Sequence, residues 1–261
     1  MPIGSAYWRI SGSKLSALLI RCLGTLDLHT HLRLRPILDF FRNYADAGSS
    51  CRVLEIGCGD GVNAFELARL ARRQGVTLSY CGLDIDPTGL EKARQLAQVL
   101  ELDRDLQFLR SDANGVRSLG AEPWDIVILA DVLEHLEAPE VLLRDIGPVL
   151  RAGAFCLVSV PTPHYERVFG TAFHRKLGHV KSGYRLEELD ALLAQIGGDR
   201  VCHRYTTGFL SRLGCAVYYR TPTTRILTAL KAVLLSPFRL LDFCNGPGVS
   251  CSLFAAYRIE R

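Results

Sequence analysis

Between Arg52 and Val160 the chain repeats one pattern, in which a short apolar run ends in a turn or a carboxylate and a stretch with helical spacing follows. The runs are Val53-Leu54-Glu55-Ile56, Leu78-Ser79-Tyr80-Cys81-Gly82-Leu83-Asp84, Leu106-Gln107-Phe108-Leu109, Trp124-Asp125-Ile126-Val127-Ile128-Leu129-Ala130 and Ala154-Phe155-Cys156-Leu157-Val158-Ser159-Val160. Such runs suit strands buried on both faces. Between them Asn63 to Gln74, Gly89 to Leu100 and the stretch from Asp131 to Leu136 read as helices, with Gly75 as a stop signal after the first. Strand and helix in alternation predict an α/β fold built on a doubly wound, mostly parallel sheet. A ligand then lies across the carboxyl ends of the strands.

The flanks read differently. Residues 1–50 predict a helical cap, with amphipathic helices at Leu15–Ile20 and Leu34–Phe41 and Pro36 near the start of the second. The core is assigned to 51–208, including a helix at Leu186–Ile196 and a strand near Arg200–Tyr205, and the last strand to 249–261. Between them, 209–248 predicts a helical insertion. Its apolar segment around 225–243 suits a lid, a homodimer surface or an interfacial helix with Arg225, Lys231 and Arg239 toward lipid head groups. Pro237 and the charges argue against spanning a membrane.

The loop Gly57-Cys58-Gly59-Asp60-Gly61 joins the first strand to the first helix, an arrangement that brings backbone N–H groups to a ligand. A dinucleotide fingerprint asks for G-x-G-x-x-G, but here the third glycine comes one position early and Val62 occupies its place. Glu55 and Asp60 flank the loop and would repel a pyrophosphate. A ligand carrying an ammonium and a sulfonium suits them, and S-adenosyl-L-methionine fits that description. Glu55, Asp84, Asp112 and Asp131 each close or follow a different strand, so a parallel sheet collects all four on one edge. Asp84 is then placed for ribose hydroxyls and Asp112 for a purine amino group, between apolar walls of Leu83, Ile85 and Ala113.

Composition changes this picture little. A net charge of +4 and dispersed basic residues do not indicate a nucleic-acid partner. Nine cysteines without a C-x-x-C pair read as reduced, mostly buried residues of a cytoplasmic protein, with peripheral membrane contact as the alternative noted above. Lys14 and Arg21 interrupt the N-terminal apolar run, so no secretory signal is expected. His29-Thr30-His31 has the H-x-H form of a metallohydrolase opening but lacks the later ligands and the barrel, so two partly exposed histidines on a helical cap are expected and no metal.

The ordered blocks Val53–Gly61, Gly82-Leu83-Asp84-Ile85-Asp86, Ser111-Asp112-Ala113, and Asp125–Ile128 with Val132-Leu133-Glu134-His135-Leu136 resemble those of class I S-adenosylmethionine-dependent methyltransferases. The resemblance covers roughly 50–200, with Arg151-Ala152-Gly153 where that family usually has Pro-Gly-Gly. It implies a seven-stranded sheet with an antiparallel last strand, and a cofactor held by Glu55, Gly57, Cys58, Gly59, Gly61, Asp84, Ile85, Asp112, Ala113 and Ala130. The expected acceptor is a small molecule, a sugar or a lipid-linked intermediate. Asp131, His135 and His179 are candidate catalytic groups, and His164 and Tyr184 candidate substrate contacts. A nicotinamide-dependent oxidoreductase and a non-catalytic cofactor-binding protein are the rival readings.

Overall fold

The computed structural model describes residues 28–119, 122–220, 234–239, 242–243 and 245–260. The helix expected at Leu15–Ile20 and most of the 225–243 segment lie outside these residues. Helix α1 (Leu28–Tyr44) leads into strand β1 (Ser50–Ile56), followed by α2 (Val62–Gln74), β2 (Thr77–Asp84), α3 (Pro87–Val99), β3 (Leu106–Arg110), β4 (Trp124–Ala130), α4 (Pro139–Ile146) and β5 (Leu150–Pro161). Short helices α5 (Pro163–Phe169) and α6 (Thr171–Lys176) precede α7 (Leu186–Ala194), β6 (Gly198–Thr206), α8 (Phe209–Arg220) and β7 (Ser252–Ile259).

The strands form one seven-stranded sheet in the order β3-β2-β1-β4-β5-β7-β6. All neighbours are parallel except at β7, which runs antiparallel to both β5 and β6. Side chains alternate across a strand, so consecutive apolar residues feed two different layers. Val53, Ile126, Ile128, Phe254 and Ala256 pack on one face with α1, α2 and α3. Leu54, Val127, Leu129, Ala255 and Tyr257 pack on the other with α4 and α7. Both sets are almost fully buried, as the unbroken apolar runs require. Chain order reverses between β1 and β4, which opens a crevice above their carboxyl ends.

Three expectations need correction. The stretch from Asp131 to Leu136 is no α-helix: only Leu133–His135 forms a 3₁₀ turn, because Asp131 adopts left-handed backbone (φ +55°) and reverses the chain first. Pro36 lies inside α1, which starts at Leu28. His29, expected to be partly exposed, is buried on that helix, while His31 is partly exposed. The described cysteines are all free, and only Cys202 is exposed. Among the described residues no helix is long and apolar enough to cross a membrane.

Candidate functional site

The glycine loop is shaped by contact as well as by conformation. Gly57 has φ +76°, and a Cβ there would meet Val132 Cγ2 at 2.6 Å. Gly59 has φ +55° and open space where its Cβ would point, so the ligand side of the loop is bare backbone.

The loop does not present its amides to a ligand, contrary to expectation. The N–H groups of Gly57 and Cys58 both donate to the Leu83 carbonyl, at 2.8 and 3.0 Å. Gly59 N–H donates to Asp84 Oδ2 at 2.7 Å, and Gly61 N–H to the Cys58 carbonyl at 2.9 Å. The first three bonds tie the loop to the end of β2 and occupy the Gly57, Cys58 and Gly59 donors that an anion cradle would use. What faces the crevice is acidic.

Glu55 is buried at the end of β1, where its carboxylate accepts from the Tyr80 hydroxyl and the Asn63 amide. Burial pushes its carboxyl up to about 7, against the pull of those two hydrogen bonds and with a further push from Asp84. Asp60 is raised to about 6, again chiefly by burial. Two carboxyl groups poised near neutrality gain most from a cationic ligand. With Gly57, Gly59, Val62, Ala130 and Ser159 they line a cavity of about 340 Å³ that α1 covers with Thr30, Arg33, Leu34 and Ile37, spaced along one helical face.

Asp84, Ile85 and Asp112 lie outside this cavity, at or just after the carboxyl ends of β2 and β3. Asp84 Oδ1 accepts from Asp86 N–H at 2.8 Å, so both oxygens of this carboxylate are held by backbone donors. Ile85 is 69% exposed at the strand end, an apolar surface beside that carboxylate. Asp112 is exposed and caps the turn Ala113–Ser118 through Gly115 N–H at 3.2 Å.

A second chamber of about 210 Å³ adjoins the first and shares Arg33, Asp131 and His135 with it. Arg33 reaches from α1 to pair with Asp131. His29, Glu134, Tyr165 and His179 complete the polar wall. The segment 178–184 is fastened over this chamber by four contacts with the turn below it. Val180 and Lys181 N–H donate to the Glu134 carbonyl (2.9 and 3.2 Å), the Tyr184 hydroxyl donates to the Leu133 carbonyl (2.9 Å), and His135 Nδ1 lies 3.1 Å from the Gly178 carbonyl.

That clamp sets His179 edge-on to His135, ring centroids 4.8 Å apart. Burial first, then His135, His174 and Arg33, push His179 down to about 4. Glu188, at the third position of α7, accepts Arg185 N–H at 2.7 Å and also Lys181 Nζ at 2.8 Å, which ties the segment to the start of that helix.

The structure thus brings Asp131, His135 and His179 together, as it does Glu55, Gly57, Cys58, Gly59 and Ala130. Gly61 lies behind the loop against Phe108 and Ala93. Tyr184 is buried as a strut, and His164 sits outside both chambers, 2.8 Å from Arg212. Arg33, Asn63, Tyr80 and Glu134 were missed from sequence. Only Arg33 left a signal there, standing four residues from both His29 and Ile37 on one face of α1.

A family model described as a methyltransferase domain matches residues 26–203. A ubiquinone biosynthesis O-methyltransferase of Aeromonas salmonicida is 25% identical over 150 residues, covering 56% of this chain and 60% of that protein. A fatty-acid O-methyltransferase of Mycolicibacterium smegmatis is 30% identical over 115 residues, covering 44% of this chain and 39% of that protein. The chain therefore spans less than two thirds of the length of these curated relatives. A solved S-adenosylmethionine-dependent methyltransferase from Archaeoglobus fulgidus shares the fold at a TM-score of 0.58 and 19% identity, over 92% of this chain and 97% of that one. On the matched span, the chain belongs to the methyltransferase-domain family.

Proposed function

We propose that this protein transfers a methyl group from S-adenosyl-L-methionine to a hydroxyl oxygen of a small, sugar or lipid-linked acceptor. The observation that carries the cofactor assignment is the acidic corner in which the Gly57, Cys58 and Gly59 amides are already bonded. It repels a pyrophosphate and favours a cation, which separates this reading from a nicotinamide-dependent one. Oxygen as the acceptor atom is supported by the two relatives, whose names both describe O-methylation.

Glu55, Asp60 and the Gly57–Gly59 backbone are placed for the methionine end. Asp84 is placed for the ribose, and Ile85 with Asp112 for the adenine. The cofactor supplies an activated sulfonium methyl, so the residues here need only bind, orient and exclude water. Arg33 holds Asp131 at the junction of the chambers, which makes Asp131 an orienting group. His135 and His179 are the polar groups that meet an acceptor in the second chamber. The fastened 178–184 segment sets His179 in the wall of that chamber.

The test is calorimetric titration with S-adenosylmethionine, its demethylated product and NAD, beside an Asp84→Ala variant. The first two are expected to bind at micromolar levels and NAD not at all. Asp84→Ala is expected to lose about 10–100-fold in affinity, since it removes a charge-assisted contact and frees Gly59 N–H. NAD binding without S-adenosylmethionine binding would sink the assignment.

A further inference from the structure

Glu134 raises a question that cofactor binding leaves open. Its side chain is fully buried and lines the second chamber, yet neither carboxylate oxygen has a hydrogen-bond partner. Buried carboxylates in native proteins are almost always hydrogen-bonded or paired, because an orphaned one costs several kcal/mol. The adjacent guanidinium does not complete it, since Arg33 is directed to Asp131.

Two imidazoles stand beside it. One donor atom from each of Glu134, His135 and His179 can be chosen so that all lie within 4.8 Å of one another. Ligands at about 2.1 Å from a tetrahedral ion are separated by about 3.4 Å, so closure asks for at most about 1.4 Å of adjustment. Rotation of the half-buried His179 can supply much of that.

The far side of each ring is also provided for. His135 Nδ1 lies 3.1 Å from the Gly178 carbonyl, which accepts its proton and leaves the Nε2 lone pair toward the chamber. His179 Nδ1 lies 3.0 Å from His174 Nε2, and donation to that nitrogen likewise leaves His179 Nε2 as the acceptor. Metal-binding histidines are oriented in this way, with the second nitrogen donating to a carbonyl or another acceptor.

We propose that Glu134, His135 and His179 form a divalent transition-metal site in the acceptor chamber. Two imidazoles and one carboxylate favour Zn²⁺, Mn²⁺ or Fe²⁺ over Mg²⁺ and Ca²⁺, which prefer an all-oxygen shell. Three protein ligands leave coordination positions open toward the chamber. Under the methyltransferase reading above, an acceptor hydroxyl takes one of them. The ion lowers its pKa so that its proton leaves to water, and the oxygen is held beside the methionine corner.

The test uses the full chain, freed of metal by a chelator and dialysed. Zn²⁺ and Mn²⁺ are titrated calorimetrically, and Co²⁺ is followed by its visible absorption, which reports nitrogen and oxygen ligation. One equivalent is expected to bind, with affinity falling 10–100-fold in Glu134→Gln and in His179→Asn. The exposed His203→Ala should leave binding unchanged. The isosteric Glu134→Gln guards against loss of folding, and retained S-adenosylmethionine binding in both site variants reports an intact fold. No stoichiometric binding, equal binding in all variants, or loss on His203→Ala would each overturn the metal site. A wild-type chain that binds S-adenosylmethionine but no metal overturns the metal site alone. One that binds metal but not S-adenosylmethionine overturns the cofactor reading alone.

Discussion

Replacing Glu55 with Gln should have opposite effects on stability and on cofactor binding. The Glu55 carboxyl stands at about 7 against an ordinary 4.5, a displacement of about 2.5 pH units caused mainly by burial. At about 1.4 kcal/mol per unit, the ionised form costs the empty protein up to about 3 kcal/mol. The sign follows from which state ionises first. Below pH 4.5 the carboxyl is protonated whether the chain is folded or unfolded, and the cost is absent. As pH rises to 7 the unfolded chain ionises first, so stability declines, and above 7 the full cost is present. Gln keeps the size and an acceptor for Tyr80 but cannot ionise. The variant without ligand should therefore be more stable at pH 8 by about 1–3 kcal/mol, with the gap closing toward pH 5.

Binding should move the other way. A ligand ammonium needs the carboxylate, so wild-type affinity should rise with pH up to about 7 and then level off. Binding below that point should release protons, measurable as a dependence of the calorimetric heat on buffer ionisation enthalpy. In Glu55→Gln, affinity for S-adenosylmethionine should fall about 10–100-fold. The remaining pH dependence should move down toward about 6, where Asp60 stands. Thermal unfolding and titration at four pH values between 5 and 8 read both effects. The reasoning fails if the variant gains no stability at pH 8 and keeps wild-type affinity.

Two further substitutions probe the frame around the site. Gly57→Ala combines a positive φ with a Cβ placed 2.6 Å from Val132 Cγ2, so it should lower stability by about 2–4 kcal/mol. Chemical denaturation without ligand reads that loss, and an unchanged midpoint would refute the steric account. Tyr184→Phe removes a buried hydrogen bond to the Leu133 carbonyl and should cost about 1–2 kcal/mol. It should also speed amide exchange at Val180 and Lys181, whose N–H groups close the same clamp. Unaltered exchange there would mean that Tyr184 does not hold the segment down.

The gathering of carboxylates at one sheet edge was largely legible because topology alone assembles it. Once Val53–Ile56, Leu78–Asp84 and Trp124–Ala130 are parallel strands, Glu55, Asp84 and Asp131 must gather at one edge whatever the helices do. The same inference went astray within the turns. That the Gly57–Gly59 amides bond inward could not be read from spacing, because their acceptors, Leu83 and Asp84, belong to the neighbouring strand. The helix expected from Asp131 rested on an apolar spacing that one left-handed residue interrupts.

The second chamber resisted for a deeper reason. It is made where α1, the turn Leu133–His135 and the segment 178–184 meet, so its residues come from parts of the chain with no common period. Glu134, between Leu133 and His135, has the pattern of an exposed helix charge; only the overlying segment, fastened through Val180, Lys181 and Tyr184, makes it a buried carboxylate facing two histidines. The two halves of the site therefore have different tolerances. Moving a strand end would disrupt the acidic corner and the sheet together. Resetting Tyr184 changes how the 178–184 segment docks without touching the first cavity, whereas Arg33 and Asp131 line both chambers and couple them.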